Sequence, residues 1–485
     1  AGAAGDLHHG RERVAPVLAT LSNLLWSYVL IALLVGIGLY FTVASRFVQF
    51  RYFGRMFRVL GTALHHEPGQ ISSFQALVVS VAGRVGGGNI AGVAVAITLG
   101  GPGAVFWMWL IGLMGMATSF FECSLAQLYK RREPDGSFRG GPAYYLSRGV
   151  GQKGLAALYS VLLLLTFGFG FNAVQSYVVA TSLSDSFGVP TMASGAALVV
   201  FLGFVFFGGM RRIAAVAEIV VPVMAVSYFA CALLVIGLNL DRVPGVLATI
   251  VSSAFGFEPA LGGGLGVAVM QGVKRGLFSN EAGLGSAPNV AAVATVPHPA
   301  SQGIVQAFSV FIDTLVMCSC TALIILLSDV FTSSGPEVSG VALTQNALAE
   351  HLGAWGGSFV SVALVLFAFS SIMYNYYLGE NSLNYFSEEN QRLFVVYRVL
   401  VLGLVFWGAA QDLGTVFSFA DLTMGLLGVV NLVGLIWMSR LALRLLRDYD
   451  AQLAAGQEPR LDPAAFADLD IDASAWQDAP APPKV

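Results

Sequence analysis

The chain is poor in charge and lacks the motifs of the common enzyme classes. Only 11% of its 485 residues are charged, against about 25% in an ordinary soluble domain, and 56% are hydrophobic. It has no Gly-x4-Gly-Lys-Ser/Thr phosphate loop, no His-Glu-x-x-His zinc motif and no Ser/His/Asp set. These absences argue against an ATP-driven pump and against an enzyme. Nothing indicates an organic cofactor, a nucleotide or a nucleic acid as a ligand.

Cysteine is also scarce. The four cysteines all lie inside apolar stretches, at Cys123, Cys231, Cys318 and Cys320. The pair Cys318-x-Cys320 lacks the spacing of a structural zinc site. We therefore expect these side chains to pack rather than to bind a metal.

Long apolar stretches are what the chain does contain, and its mean hydropathy is +0.74. Because a helix needs about 20 apolar residues to cross a bilayer, the sequence predicts an all-α polytopic membrane protein with 11 transmembrane helices. The predicted spans are 21–45, 72–100, 102–129, 154–182, 191–210, 213–239, 261–295, 303–328, 355–380, 393–411 and 414–439.

Basic residues gather in the connections of one side. They lie at Arg46, Arg51, Arg55 and Arg58, at Lys130, Arg131, Arg132, Arg139, Arg148 and Lys153, at Arg211 and Arg212, and at Arg440, Arg444 and Arg447. The loop 329–354 on the other side has none. By the positive-inside rule the N terminus is predicted outside and the C terminus in the cytoplasm, with the protein in the cell membrane.

Three segments lie outside the predicted spans of the bundle. Residues 1–20 form a polar N-terminal tail before the first helix, 21–45. Residues 46–70 are basic and aromatic, which predicts a segment on the cytoplasmic membrane surface. Residues 448–485 are acidic and end in Ala-Pro-Ala-Pro-Pro-Lys-Val, so we expect a disordered cytoplasmic tail.

A glycine-rich motif occurs twice. Arg84-x4-Asn89-x-Ala91-Gly92 returns as Arg275-x4-Asn280-x-Ala282-Gly283. In the predicted topology the two copies cross the membrane in opposite directions, so 72–239 and 261–439 form two five-helix repeats of inverted orientation. The first copy also holds the run Gly86-Gly87-Gly88, which costs a helix about 1 kcal/mol per glycine relative to alanine.

Paired broken helices in an inverted repeat are typical of secondary transporters, whose substrate and ion sites lie where the breaks meet. Exposed N–H groups at a half-helix terminus bind an anionic group such as a carboxylate. Small-residue packing between helices is the alternative explanation. It accounts for glycines spaced four apart but not for a Gly-Gly-Gly-Asn run or a Ser-Asn-Glu-Ala-Gly-Leu-Gly run.

Several polar residues in the spans have two possible roles. Asn89 and Asn280 could ligate a cation or cap the half-helices. The acids Glu122, Glu218, Asp313 and Asp421 are functional candidates by position. Pairing of these acids with Arg84, Lys274 or Arg275 is favoured over direct cation ligation.

At these motifs the sequence resembles the alanine or glycine:cation symporter family. The likeness rests on residues 88–93, on 100–109, and above all on 276–288, Gly-Leu-Phe-Ser-Asn-Glu-Ala-Gly-Leu-Gly-Ser-Ala-Pro. The resemblance implies a leucine-transporter-type fold of 5+5 inverted repeats with one extra N-terminal helix. It also implies Na⁺-coupled uptake of a small neutral amino acid, alanine or glycine.

The resemblance also assigns site residues. For the amino acid they are the backbone of Gly86, Gly87 and Gly88, then Gln175 and Val179 as one wall, and Phe278 as a cover. For Na⁺ they are carbonyls near Ala82 and Val85 with the hydroxyls of Ser370 and Ser371. Asn89, Asn280 and Ser279 lie at the breaks beside this set.

Two positions depart from the family pattern. Gly87 stands where the family commonly has Thr, and Tyr374-Asn375 stands where it commonly has Gly-Trp. Asn375 adds an amide to the substrate's side-chain end. Glutamine or another polar neutral amino acid is therefore an alternative substrate, unless Tyr374 simply fills the vacated volume.

A channel and H⁺-coupled transport are the two alternatives to Na⁺ symport. A channel would need a continuous polar pore or a ring of charges, whereas the polar residues here cluster at two breaks. Coupling to H⁺ is less favoured than coupling to Na⁺, because the predicted ligands are carbonyls and hydroxyls that suit a hard cation.

Overall fold

The computed structural model describes residues 24–63, 70–256, 264–333, 340–388 and 390–476. The described chain is almost entirely helical. The first half consists of Leu25–Leu30 continuing into α1 (Ile31–Ala44), then α2 (Val48–Arg51), α3 (Phe53–Ala63), α4 (Ser73–Arg84), α5 (Gly88–Gly100), α6 (Gly103–Leu128), the strands β1 (Arg131–Arg132) and β2 (Phe138–Arg139), α7 (Pro142–Tyr144), α8 (Lys153–Phe187), α9 (Thr191–Phe206) and α10 (Gly209–Leu238).

The second half of the chain consists of α11 (Val243–Ala254), α12 (Leu265–Asn280), α13 (Ser286–Ala291), α14 (Pro299–Leu326), α15 (Val330–Ser333), α16 (Val341–Leu352), α17 (Ala354–Phe386), α18 (Gln391–Gly408) and α19 (Leu413–Ala454). The sequence did not predict the short helix α11. Helix α16 lies inside the predicted loop 329–354. Two 3-10 turns, Pro463–Phe466 and Ala473–Trp476, follow α19.

Seven helices in the described residues are long and apolar enough to cross a membrane: α6, α8, α10, α14, α17, α18 and α19. The pair α4 and α5 makes an eighth candidate, bent by 49° at its break. Shorter apolar helices are Tyr28–Ala44, α9 and α11. The protein is thus a multi-helix membrane protein, and seven or eight of the eleven predicted spans meet the length and composition expected of a membrane-crossing helix in the described residues.

Glycine allows the central helices to approach closely. A Cβ on Gly272 would lie 2.5 Å from the Ala104 carbonyl oxygen of α6, and a Cβ on Gly276 would lie 2.6 Å from Ile111. On the other side of α6, a Cβ on Gly303 of α14 would lie 2.6 Å from the Phe120 carbonyl oxygen. Close contact of this kind is what small residues provide between membrane helices, and it makes α6 the central support of α12 and α14.

The two breaks form for different reasons. Helix α4 starts with a capping box, in which Gln75 N–H donates to Ser72 Oγ at 3.1 Å, and it ends before the glycine run. The second break, between α12 and α13, instead contains three residues of positive φ: Glu281 at 56°, Gly283 at 91° and Gly285 at 79°. Left-handed residues end a helix abruptly.

The last part of the chain differs from the predicted disordered tail. Residues 448–454 continue helix α19, and 457–476 pack on the protein surface with Leu461, Phe466 and Trp476 buried. Aromatic and aliphatic anchors spaced several residues apart hold this acidic stretch in place. The rest of the predicted tail, 477–485, lies outside the described residues, as does the N-terminal tail 1–20.

The basic segment after α1 is helical, and its aromatic side chains are divided between the protein and the outer surface: Phe47, Phe50 and Phe57 are 52%, 58% and 54% exposed. Phe53 and Phe57 of α3 pack edge-on against Phe308 and Phe311 of α14, with ring centroids 5.0 to 6.4 Å apart. The segment is therefore anchored to the helix bundle, and 64–69 lie outside the described residues.

Candidate functional site

The three glycines of the first break are enclosed by side chains from three other helices. Gly86 N–H donates to Asn89 Oδ1 at 2.9 Å, and Gly87 N–H donates to Gln175 Oε1 at 2.9 Å. A Cβ on Gly88 would lie 2.8 Å from the Phe278 ring, and one on Gly86 would overlap Ser371 Oγ. The unwound backbone thus faces Gln175, Phe278 and Ser371, three of the residues assigned by resemblance.

The wall on α8 differs by one residue from the expected one. The side chain that comes against Gly87 is that of Val178, whose Cγ1 lies 3.2 Å from where a Cβ would be. Val179 is also buried, but no contact with the glycine run is among its described contacts. Gln175 and Val178 are three residues apart and so share a helix face.

Phe278 of α12 lies against the first break. Its ring centroid lies 4.6 Å from that of Phe171 and 5.6 Å from that of Phe417, and its ring edge touches Gly88. An aromatic cluster of this kind excludes water from the break. It provides an apolar cover with a polar floor of backbone N–H groups.

Helix α17 presents polar groups to the first break. Ser371 Oγ donates to Ala82 O at 3.0 Å and to Gly83 O at 3.2 Å, and Ser370 Oγ donates to Ala82 O at 3.3 Å. Two hydroxyls therefore converge on carbonyls at the end of α4, the ligand types that suit a hard cation. The fourth expected ligand, Val85, is buried, but its carbonyl is not among the described partners of these serines.

Asn375 lies one turn beyond Ser371 on the same face of α17. It is 1% exposed, and within the part of the chain that the structure describes neither Nδ2 nor Oδ1 has a hydrogen-bond partner. A buried amide without partners costs free energy. Such an amide is therefore a strong candidate for a group that pairs with a bound molecule.

Tyr374, the residue before Asn375 on α17, packs against the end of α4. Its ring lies against Gly83, where a Cβ would overlap it, and its hydroxyl donates to Glu281 Oε2 at 3.1 Å. Glu281 also accepts from Ser286 Oγ at 2.6 Å. Tyr374 thus connects α17 to the second break.

Asn89 and Ser279, one from each break, meet at a single buried carboxylate. Asn89 Nδ2 donates to Asp313 Oδ1 at 2.7 Å, and Ser279 Oγ donates to Asp313 Oδ2 at 2.7 Å. Thr314 Oγ1 also donates to Oδ2 at 2.7 Å. The described partners of Asp313 are therefore neutral donors, and its oxygens can accept a cation or a proton. The sequence marked Asp313 only as an acid in an apolar run; its partners were not foreseen.

The asparagine oxygens accept from backbone groups at both breaks. Asn89 Oδ1 accepts from Gly86 N–H, and Asn280 Oδ1 accepts from Ala282 N–H at 2.9 Å. Asn280 Nδ2 is buried and has no hydrogen-bond partner among the described residues. Both amide oxygens thus accept from backbone N–H groups inside the breaks, and neither caps the first turn of the half-helix that follows.

The intramembrane ionisable groups pair unevenly. Asp421 accepts from Lys274 at 2.6 Å and from Arg275 at 2.8 Å, so one carboxylate faces two cations. Glu122 instead accepts from Gly283 N–H and Asn431. Glu218 accepts from Gln75 at 3.2 Å. The expected pairing therefore holds for Asp421, while Glu122 and Glu218 have neutral donors.

Arg84 is also buried, and the described acceptors of its guanidinium are neutral groups. Its guanidinium donates to Ser309 Oγ, to Gln306 O at 3.2 Å and to Ser119 Oγ at 3.0 Å. It thereby fixes the end of α4 against α6 and α14.

Comparison with known proteins places the chain in a family. A model of the sodium:alanine symporter family matches residues 11–463. The chain is 47% identical to the probable sodium/glutamine symporter GlnT of Bacillus subtilis, covering 91% of this chain and 92% of that protein. It is 37% identical to the sodium/alanine symporter AgcS of Methanococcus maripaludis, covering 87% and 94%.

The fold has a counterpart among solved structures. A crystal structure of the manganese transporter of Eremococcus coleocola, in complex with an aromatic bis-isothiourea substituted compound, matches with a TM-score of 0.50 and 16% identity, over 80% of this chain and 81% of that one. At this identity the likeness concerns the fold alone. The family match and the curated relatives confirm the resemblance seen in the motifs: the chain belongs to the sodium:alanine symporter family and is a membrane transporter, not an enzyme.

Proposed function

We propose that this protein carries a small neutral amino acid into the cell by symport with Na⁺. The observation that carries the proposal is the glycine break itself: the helix is interrupted at Val85 and Gly86, and the run Gly86 to Gly88 lies among Gln175, Phe278 and Ser371. Reconstituted protein should accumulate labelled alanine or glycine only under an inward Na⁺ gradient. Equal uptake without the gradient would contradict symport, and failure of counterflow exchange would indicate a channel.

The proposed architecture is eleven spans, with α4 to α10 and α12 to α19 as inverted five-helix repeats after one extra N-terminal helix. Contacts support the proposed topology. Arg55 pairs with Glu458 at 2.7 Å, and Arg148 pairs with Asp470 at 3.0 Å. Two basic connections predicted on one side, those that contain Arg55 and Arg148, therefore share a face with the C-terminal segment. We take this face as cytoplasmic, with the N terminus outside.

In the proposed pocket the substrate carboxylate binds the N–H groups of the glycine run. The Gln175 amide oxygen, which accepts from Gly87 N–H, occupies a position that a carboxylate oxygen could take. Phe278 and Val178 then enclose the aliphatic part. Val179 belongs to the same wall as a buried neighbour.

The proposed Na⁺ ligands are Ala82 O and the hydroxyls of Ser370 and Ser371, with Val85 O as the further ligand implied by the family. The Asp313 carboxylate offers a second cation-binding group, because it joins Asn89 and Ser279 at the two breaks. A proton on Asp313 would be the alternative to a metal ion there. No organic cofactor enters the proposal.

Replacing Ser371 with alanine should raise the Na⁺ concentration for half-maximal uptake by about tenfold, equivalent to about 1.4 kcal/mol. The reason is that one of two converging hydroxyls is lost while the substrate cradle is kept. The measurement is uptake against Na⁺ concentration, and then against alanine concentration at saturating Na⁺. Ser382→Ala is the matched control, since the described hydrogen bond of the Ser382 hydroxyl lies within α17, to Leu378 O. Equal loss of both affinities in Ser371→Ala would count against the assignment.

The unpartnered amide of Asn375 favours glutamine as a second candidate substrate. A carboxamide can donate to Asn375 Oδ1 and accept from Nδ2 at once. The relative GlnT, whose name specifies glutamine, supports the same alternative. Alanine or glycine would leave the amide without a protein or substrate partner.

Competition decides between the substrates. If glutamine binds at Asn375, it should compete with labelled alanine in the wild type, and Asn375→Leu should weaken this competition by about tenfold while alanine affinity changes little. Asn375→Trp, which restores the bulk common in the family, should abolish glutamine competition. Absence of competition in the wild type would leave alanine or glycine as the substrate.

A further inference from the structure

The C-terminal segment 457–476, which we call the strap, lies across the face that the proposed topology places in the cytoplasm. Its acidic side chains contact basic residues of separate elements. Glu458 pairs with Arg55 of α3 at 2.7 Å, Asp470 pairs with Arg148 at 3.0 Å, and Asp468 pairs with Arg444 of α19 at 2.7 Å. The strap thus connects parts of the chain that have no sequence proximity.

The strap ends at the junction between the two broken helices. Lys130 Nζ donates to Ala294 O at 3.1 Å and lies 4.4 Å from the Trp476 ring centroid and 4.3 Å from that of Phe138. Ala294 pairs in turn with Ile71, two residues before α4. Trp476 therefore covers the lysine that bonds the segment after α13 at this junction.

Lys130 is buried between two aromatic rings, those of Phe138 and Trp476. The side chain is fully buried, and burial lowers the pKa of Lys130 to about 7, with the nearby Arg132 charge acting in the same direction. Two ring faces stabilise an ammonium group that has lost most of its water. Removal of Trp476 would open this position to solvent.

The strap combines exposed ion pairs with a few buried anchors. Its side-chain ion pairs are partly or largely exposed, with Asp470 66% and Asp468 59% accessible. Its grip comes from three buried anchors, Leu461, Phe466 and Trp476. Leu461 N–H also donates to Pro297 O at 2.9 Å, just before α14.

We propose that the strap is an autoinhibitory element that holds the inner ends of the two broken helices together and slows opening toward the cytoplasm. The proposal rests on the transport function and topology above. Release of a substrate toward this face requires the Ile71–Ala294 junction to separate. The strap contacts the Ala294 side of the junction at Lys130 and Pro297, and it contacts α3, which precedes the Ile71 side, through Arg55. Removing the strap contacts should therefore speed transport without changing the pocket.

The test compares full-length variants in proteoliposomes. Trp476→Ala and Asp470→Arg should each raise the maximal rate of Na⁺-driven alanine uptake by about fivefold or more, the lower range of ordinary coupling between sites, with KM unchanged. The combined Arg148→Asp and Asp470→Arg swap should return the rate to that of the wild type. Trp437→Ala, which removes a 58% exposed tryptophan of α19, is the matched control and should leave the rate unchanged.

A second readout does not depend on transport. Thr295 N–H donates to Ile71 O at 3.0 Å, so its hydrogen exchange reports opening of the junction. Exchange at Thr295 should be faster in Trp476→Ala and in Asp470→Arg, and normal in the charge swap. If folded, monodisperse variants show unchanged hydrogen exchange at Thr295 and unchanged uptake rates, the proposal that the strap is autoinhibitory is wrong. Absence of Na⁺-driven uptake in the wild type would instead refute the transport proposal, and exchange at Thr295 would still decide whether the strap holds the junction.

Discussion

Gly86→Ala is expected to abolish amino-acid uptake while the protein still folds and inserts. The added Cβ would overlap Ser371 Oγ and lie 2.8 Å from Gln175 Nε2. Both side chains belong to the proposed site, one to the Na⁺ ligands and one to the substrate wall. A single methyl group therefore acts on both ligands, and we expect uptake below detection, measured as Na⁺-driven accumulation of labelled alanine.

Gly92→Ala is the matched control for this substitution. Gly92 belongs to the same broken helix, and a Cβ there would have no heavy atom within 4 Å beyond its own helix. Alanine is also the better helix former. We expect near-normal uptake, and a similar loss in both variants would show that the break tolerates no substitution for reasons other than the site.

Asp421→Asn is expected to cause the largest loss of stability. The substitution would leave Lys274 and Arg275, with side chains 13% and 6% exposed, without their shared counter-ion. Breaking a buried pair from one side typically costs about 3–5 kcal/mol, because the remaining charge is buried and unpaired. The midpoint of thermal unfolding in detergent should fall markedly.

An exposed ion pair provides the comparison. Asp329 pairs with Arg242 at 2.6 Å, but its side chain is 72% exposed. Asp329→Asn should cost at most about 1 kcal/mol. The addition of Lys274→Met to Asp421→Asn should recover part of the loss, and an unchanged midpoint in the single variant would mean that the Asp421 cluster is solvated.

The local sequence predicted which helices are broken and which residues lie near the first break. A run of three glycines interrupts a helix wherever it lies, and a helix places Ser371 and Asn375 on one face by spacing alone. The structure accordingly brings Gln175, Phe278 and the two serines to the first break. Their roles in transport are proposals that the experiments above address.

Finer positions depended on features that spacing does not contain. The valine nearest to Gly87 on α8 is Val178, and nothing in the sequence distinguishes it from its buried neighbour Val179. The direction of the Val85 carbonyl depends on its non-helical ψ of 88°. A one-residue change of face and a single ψ angle are set by tertiary packing.

The strap was mispredicted for a different reason. Its composition is acidic and its apolar residues follow neither a helical nor a strand period, which is typical of disordered segments. Its partners, Arg55, Lys130 and Arg148, are more than 300 residues away in sequence. Order in this segment comes from a surface that exists only once the bundle has formed.

The carboxylate of Asp313 accepts from Asn89 of one break and from Ser279 of the other. A cation or proton that competes for its oxygens therefore acts on both half-helices together, and on the backbone that would hold the amino acid. Such linkage is reciprocal in equilibrium binding. The factor by which the bound amino acid raises ion affinity equals the factor by which the bound ion raises amino-acid affinity. Measuring either affinity with and without the other ligand therefore gives the coupling that drives accumulation.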